Sequence, residues 1–350
     1  MDFASDNTAG MAPAIQDALV AANAGFALGY GQDDLTRRLE HRMSELFERE
    51  VAVFLVPTGT AANALALAHL CPPWGAVLCH AESHIVTDEC GAPEFFGGGL
   101  RLVGLPGVGC KLTTATLRAA IARYSGHRPH QSNAAVFSLT QASEAGTIYQ
   151  VDEIQALAEI AHRHGLAVHM DGARFGNALA RLGVSPAQAT WQAGVDALSF
   201  GATKGGALAA EAVVLFDPAR ADFMGERRKR AGHLFSKHRF LAAQFLAFLA
   251  DGYWLRLAGH ANLMADRLAD GLRSAGFPPV WPVEANLAFA KLPRAAEARL
   301  KQAGAAFYVR QSASLPEGQM VGPDEMLVRL VTSFATQTSD VDRFVALLKT

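Results

Sequence analysis

The sequence predicts an α/β fold, a mostly parallel sheet with helices on both faces, followed by a smaller α+β unit. Three observations predict it. From Val51 to about Phe216, short apolar runs alternate with helix-periodic segments, the pattern of strands joined by helical crossovers. The runs show mixed rather than strictly alternating periodicity, as expected for strands buried on both faces. Beyond residue 218 a long helical region reaches about residue 274, and after Pro278 and Pro279 come only short strands and helices.

The elements follow in order. A polar start leads into a helix over 13–23 and a second from Asp33 to about Arg49, separated by the loop Gly29-Tyr30-Gly31. Then come strand 51–56, a helix from Thr60 to about Leu70, strand 76–80, a helix near 84–90 and a glycine-rich loop at 97–99. The alternation continues with strand 134–140, helix 152–164 and strands 166–170, 195–199 and 211–216. In the tail, strands near 286–291, 306–309 and 327–332 mix with helices near 294–303 and 339–348. The expected division is an N-terminal segment 1–50, a large α/β domain 51–250 and a small α+β domain 251–350.

At 350 residues, half of them hydrophobic and 18% charged, the chain can bury a large core and has apolar surface to spare for subunit contacts. A net charge of −2 argues against nucleic acid or an anionic membrane surface as partner, the basic run at 227–230 being local. Cys71, Cys79, Cys90 and Cys110 form no CxxC pair, and Cys79, His80, His84 and Cys90 lack zinc-site spacing, so no metal is expected. No apolar run is long enough to span a bilayer. The start lacks a charged region followed by an apolar one, so reduced thiols and a cytoplasmic location are expected.

The chemistry concentrates at strand ends. The segment 195–206 (VDALSFGATKGG) is a short apolar strand that delivers Lys204 to a small-residue turn, and an amine at a pocket rim is a nucleophile toward carbonyls. Upstream, 166–176 (LAVHMDGARFG) is another strand, ending in Asp171, Gly172 and Arg174. The spacing from Asp171 to Lys204, about 30 residues, suits one crossover between neighbouring parallel strands. Lysine, carboxylate and guanidinium together are what pyridoxal phosphate (PLP) needs: an amine for its aldehyde, an acid to keep its ring nitrogen protonated, and cations for anionic groups.

Other strand ends join them. In 56–63 (VPTGTAAN) a strand opens directly into a helix, whose first N–H groups and the Thr60 hydroxyl make an anion cradle; taken alone, Thr-Gly-Thr reads first as a plain helix cap. His80 and His84 follow a further strand, where an imidazole can stack on a heteroaromatic ring or simply bond locally. The strand 134–144 ends in a polar cluster that includes Gln141. The carboxyl ends of parallel strands are where α/β folds bind ligands, so Thr60, His84, Gln141, Asp171, Arg174 and Lys204 point to one site.

With these motifs in hand, the chain resembles the PLP-dependent enzymes of fold type I, and within them the threonine aldolase group of the β-eliminating lyase superfamily. The resemblance covers nearly the whole chain through Ser5-Asp6-Asn7, Gly29-Tyr30-Gly31, 58–63, His84 to Glu94, His169 to Gly176, Ser199 to Lys204 and Val328 to Thr332. It implies that Lys204 carries the cofactor, Asp171 partners the ring nitrogen, His84 stacks on the ring, and Gly59 with Thr60 holds the phosphate. It further implies that Ser5, Arg174 and Arg329 hold a substrate carboxylate, with Arg174 also counted among the cofactor's neighbours and Tyr30 among the substrate's. Bidentate pairing by two guanidiniums fixes both orientation and charge. His130 matches best a family histidine near the substrate hydroxyl, with His127 as fallback. From a neighbouring subunit, Arg228, Arg230 and Lys237 are candidates to reach the phosphate, in a homotetramer built as a dimer of catalytic dimers. The N-terminal segment is then expected to pack on the active site.

The implied reaction cleaves β-hydroxy-α-amino acids such as threonine and allo-threonine to glycine and an aldehyde. Two departures stand out. The family's Lys-Asn-Gly is Lys204-Gly205-Gly206 here, which removes a side-chain amide and is expected to loosen the turn, and Val-Thr-His is Val331-Thr332-Ser333. The runner-up activity is another PLP reaction, β-elimination or racemisation of small or aromatic amino acids. A dinucleotide-dependent dehydrogenase lacks its GxGxxG motif after the first strand, and a catalytically silent binding protein would not retain every side chain the chemistry requires.

Overall fold

Crossover length decides strand direction in the large sheet. The computed structural model describes residues 1–126, 129–312 and 314–349. Strands β1 (Ala52–Val56), β2 (Gly75–His80), β3 (Arg101–Leu105), β4 (Asn133–Thr140), β5 (Ala167–Gly172), β6 (Ala197–Gly201) and β7 (Glu211–Leu215) lie in the order β1-β7-β6-β5-β4-β2-β3. Neighbours from β3 to β6 pair in parallel, while β7 runs antiparallel to both β6 and β1. No helix fits between Gly201 and Glu211, and a parallel return needs a crossover of about a dozen residues or more.

The helices are α1 (Pro13–Ala22), α2 (Asp34–Leu46), α3 (Gly59–Leu70), α4 (His84–Thr87), α5 (Ala92–Phe96), α6 (Thr114–Arg123), α7 (Val151–Arg163) and α8 (Phe175–Leu182), with α9 (Met224–Arg230), α10 (Arg239–Leu249) and α11 (Tyr253–Ser274) after β7. The expected helical region 218–274 is thus three helices, with left-handed glycines at Gly232 (φ +77°) and Gly252 (φ +68°) in its breaks. Helix α3 has no polar face: residues 61–68 are all buried, and its alanines let it lie close against β6 and β7. Strand β3 escapes a reading based on apolar runs because it is an edge strand with exposed Arg101 and Gly104.

A second sheet, β8 (Leu287–Pro293), β10 (Glu325–Val331) and β9 (Tyr308–Arg310), is antiparallel in the order β8-β10-β9 and is covered by α12 (Ala295–Gln302) and α13 (Thr338–Leu348). Helix α11 serves both cores: Trp254 packs 5.4 Å from the Phe200 ring in the large one, while Met264, Leu268 and Leu272 belong to the small one. Phe3 anchors the chain start in the small core, edge-on to Phe344 at 5.2 Å, and its backbone bonds to Ala306 and Val331. That anchor fixes where residues 5–7 lie. Among the described residues, no helix is long and apolar enough to cross a membrane.

One buried polar link ties three strands beneath the site. His169 on β5 bridges Ser138 on β4 through Nδ1 and Ser199 on β6 through Nε2, both at 2.9 Å. Burial pushes its pKa down to about 4. The unfolded chain takes up a proton near pH 6.5 that the fold refuses until about pH 4, so stability falls as pH drops through that window, by up to roughly 3 kcal/mol. Denaturant titrations between pH 7 and 4 should show this loss, and a His169→Gln variant should lack that part of the pH dependence.

Candidate functional site

Two cavities meet at Lys204. The first, about 420 Å³, lies over the carboxyl ends of the strands and is lined by Gly59, Thr60, Asn63, Asp171 and Lys204 among others. The second, about 330 Å³, opens between the two sheets and is lined by Ser5, Trp281, Phe289 and Arg329. Asn7, His84, Glu144, Arg174 and Lys204 border both. Volumes of this size suit small organic ligands.

The amino end of α3 faces the first cavity. Thr58 caps it, its hydroxyl accepting the Ala61 N–H at 3.2 Å, and first-turn N–H groups beyond that have no partner within the helix. Nothing lies within 4 Å of where a Gly59 Cβ would stand, so the backbone there is open to an anion.

Asp171 ends β5 almost fully buried, with Oδ1 accepting from the Ala173 N–H at 3.0 Å and Oδ2 from Asn63 Nδ2 at 2.9 Å. The same Asn63 nitrogen donates to Glu89 Oε1 at 2.8 Å, and that oxygen faces His84 Nδ1 at 2.9 Å. The hydrogen bond to Glu89 holds His84 above the ordinary histidine pKa, and burial raises Glu89 in turn. Glu144 accepts from the His84 N–H and the Thr140 hydroxyl, both at 2.8 Å, and burial lifts its carboxyl to about 7. Glu211, on the far wall, is likewise lifted to about 7 by burial.

The two arginines differ. Arg174 spends Nε and Nη2 on the buried Asp6, at 2.7 and 2.9 Å, and Asp6 also accepts from Asn286 at 3.1 Å. Its Nη1 is the nitrogen outside that pair. Arg329 donates from Nη2 to the Ala4 carbonyl at 3.0 Å, and among the described residues its buried Nε has no partner. Burial, with Arg174 nearby, pushes Arg329 down to about 10. A half-buried guanidinium with an idle nitrogen is a cation built to receive an anion.

The structure thus brings Ser5, Gly59, Thr60, His84, Asp171, Arg174, Lys204 and Arg329 to one place. Others lie elsewhere in the protomer. His130 is exposed in the turn before β4, at the amino end of a strand whose carboxyl end meets the site, so within this protomer a strand of roughly 25 Å separates it from the place the resemblance implies. His127 lies outside the described residues. Tyr30 and Arg228 line a separate small cavity with His238, and Lys237 is exposed beside it. Gln141 points away, clasping the Tyr149 backbone with both ends of its amide at 2.8 and 3.0 Å.

Gly205 does not loosen its turn. A Cβ there would sit 2.8 Å from the Phe248 ring, and the turn is tied by Gly205 N–H to Ala202 and by Ala12 N–H to the Gly206 carbonyl, at 3.0 and 2.8 Å. Phe248 occupies the space an asparagine side chain would need. Ser333 closes a local turn, accepting from the Ala335 N–H at 3.2 Å. The sequence assigned no role to Asp6, Asn63, Glu89, Glu144 or Glu211; the first four sit within motifs already singled out, but their roles depend on contacts between separate elements.

The comparisons with known proteins agree with this geometry. A beta-eliminating lyase family model matches residues 2–295. Low specificity L-threonine aldolases of Pseudomonas sp. strain NCIMB 10558 and of Pseudomonas aeruginosa are 43% and 44% identical over 87% of this chain and 88% of theirs. The threonine aldolase of Leishmania major superposes with a TM-score of 0.92 at 29% identity, covering 99% of this chain and 98% of that one. Serine palmitoyltransferase of Sphingomonas wittichii, 16% identical with a TM-score of 0.71 over 100% of this chain and 86% of its own, shares the fold.

Proposed function

The chain belongs to the beta-eliminating lyase family, and from that premise we propose that it is a PLP-dependent threonine aldolase, an aldehyde-lyase cleaving L-threonine, L-allo-threonine and related β-hydroxy-α-amino acids to glycine and an aldehyde. The observation that carries the reading is the pair of cavities sharing Lys204, one with a helix amino end and a buried carboxylate, the other with a guanidinium whose buried Nε has no partner among the described residues.

PLP fits the first cavity. The open backbone at Gly59, with Thr60, would take its phosphate; Asp171 would face its ring nitrogen, His84 its ring, and Lys204 its aldehyde carbon. When bound, it supplies an electron-poor ring able to accept the electron pair of the breaking Cα–Cβ bond.

The chain's own groups do the rest. Arg329, with Ser5 and Arg174 Nη1, binds the α-carboxylate, and that clamp fixes rotation about Cα and so selects the bond that breaks. Lys204 would hold the cofactor's aldehyde carbon, and its place between the two cavities puts it within reach of a substrate amine bound in the second. His84 Nδ1 is engaged by Glu89, which leaves Nε2 to take the β-hydroxyl proton and return it. Asp171, its two oxygens fixed by the Ala173 N–H and Asn63, would offer its carboxylate to the ring nitrogen and favour that nitrogen's protonated form.

Arg329→Ala should raise KM for L-threonine by about 10- to 100-fold with a smaller change in kcat, the signature of a lost carboxylate anchor. An unchanged KM removes that role. The activity itself is tested by incubating the purified protein with L-threonine, L-allo-threonine and phenylserine: glycine with the matching aldehyde supports the aldolase, whereas a 2-oxo acid with ammonium makes it an eliminating lyase.

A homotetramer of catalytic dimers follows in this reading, with Tyr30, Arg228 and Lys237 serving a neighbouring subunit's site. Exposed Phe26, Leu28, Tyr30 and Phe235, with the Tyr30 N–H bonded to the Ser236 carbonyl at 2.9 Å, support an interface on that face. Sedimentation equilibrium reads the mass directly; a monomer would contradict it. A cytoplasmic location is supported by the four unpaired cysteines, and fractionation of cells tests it.

A further inference from the structure

Two buried carboxylates share one amide donor at this site. Asp171 Oδ2 and Glu89 Oε1 both accept from Asn63 Nδ2, at 2.9 and 2.8 Å. Their oxygens are therefore within the roughly 6 Å over which like charges raise each other's pKa. All three residues are buried, and among the described residues no other donor reaches that Asp171 oxygen.

An asparagine amide carries two hydrogens on one nitrogen, which is what two facing acceptors require. A serine would offer one hydrogen, an aspartate none, and an apolar side chain would leave both acids unsatisfied. Asn63 sits in the first turns of α3, so the helix whose amino end faces the first cavity also places this amide.

We infer that Asn63 is a positioning residue that lets Asp171 and Glu89 remain ionised side by side, and so couples the cofactor-facing acid to the His84–Glu89 pair that handles the substrate proton. The inference rests on the PLP reading for what Asp171 faces, but not for the bridge itself. With the amide in place, Glu89 keeps its charge and holds a proton on His84. Without it, mutual repulsion drives one acid to protonate; if Glu89 does so, His84 loses its anionic acceptor. The other charged groups around this space are Lys204 after β6, Arg174 after β5 with Asp6 behind it, Glu144 after β4 and Glu211 on β7.

The test reads both ends of the bridge. Histidine NMR titration of the cofactor-free protein, with His84 identified by its loss in His84→Asn, should show the His84 midpoint lower in Asn63→Ala than in the wild type. PLP affinity, measured by equilibrium dialysis, should weaken about 10- to 100-fold in Asn63→Ala, the range for a buried acceptor left unsatisfied. Adding Glu89→Gln to Asn63→Ala removes one of the two acids and should restore much of that affinity, which a merely structural asparagine would not predict. Should Asn63→Ala fail to fold, Asn63→Ser, with one hydrogen to give, should shift His84 in the same direction by less. An unmoved His84 midpoint in a folded variant, or a double variant binding no better than Asn63→Ala, overturns the inference. A wild-type protein that binds no PLP would instead overturn the cofactor reading, while the titration would still decide the bridge.

Discussion

Replacing Lys204 by alanine should reduce threonine turnover to background and abolish the visible absorbance of the PLP-loaded protein. The loss would not come from unfolding. Lys204 sits in a turn whose backbone is tied by hydrogen bonds from Gly205, Gly206 and Ala207 back to Ala202 and Thr203, at 3.0 to 3.1 Å, and Phe248 packs against it. None of these contacts uses the lysine amine. The circular dichroism spectrum and the thermal midpoint should therefore stay close to the wild type, while the nucleophile that holds the cofactor's carbonyl is gone. Wild-type turnover in a folded Lys204→Ala protein would sink the assignment.

The second large effect is expected at Asp171. Asn is nearly isosteric, and its remaining oxygen can still accept from the Ala173 N–H, so β5 should keep its end. What changes is charge. The variant presents no anion to hold a protonated ring nitrogen, and its amide N–H₂ would face the Asn63 donor that now reaches Asp171 Oδ2. Asp171→Asn should lower kcat/KM on the order of 10²- to 10³-fold, the scale of losing one preorganised electrostatic partner. A change of less than about 2-fold would mean that the ring nitrogen is held by something else.

Much of the site was legible because the sequence places it where strands end. Lys204, Asp171, Thr60 and His84 each follow a run of apolar residues just long enough for a buried strand, and the parallel topology gathers those ends on one edge. Contacts made across the fold were not legible. Asp6 engages one edge of Arg174 from 168 positions away, so the two guanidiniums are not equivalent forks. Phe248 explains Gly205, a departure that reads as a loosened turn until α10 is packed against it. The antiparallel β7 depends on a link too short for a helix, and β3 is too exposed to announce itself. His130 came from the resemblance alone, and it lies before the amino end of β4, opposite the edge on which this protomer's site is gathered.

Lys204 remains the residue on which both cavities converge, and the claim that cofactor and substrate meet there has a direct test. Borohydride reduction of the PLP-loaded protein fixes the cofactor to the amine it is bonded to, and peptide mapping then identifies that amine. The account predicts a single pyridoxyl label on Lys204, lost when L-threonine is added in saturating amount before reduction; a label on another lysine, or none, would contradict it.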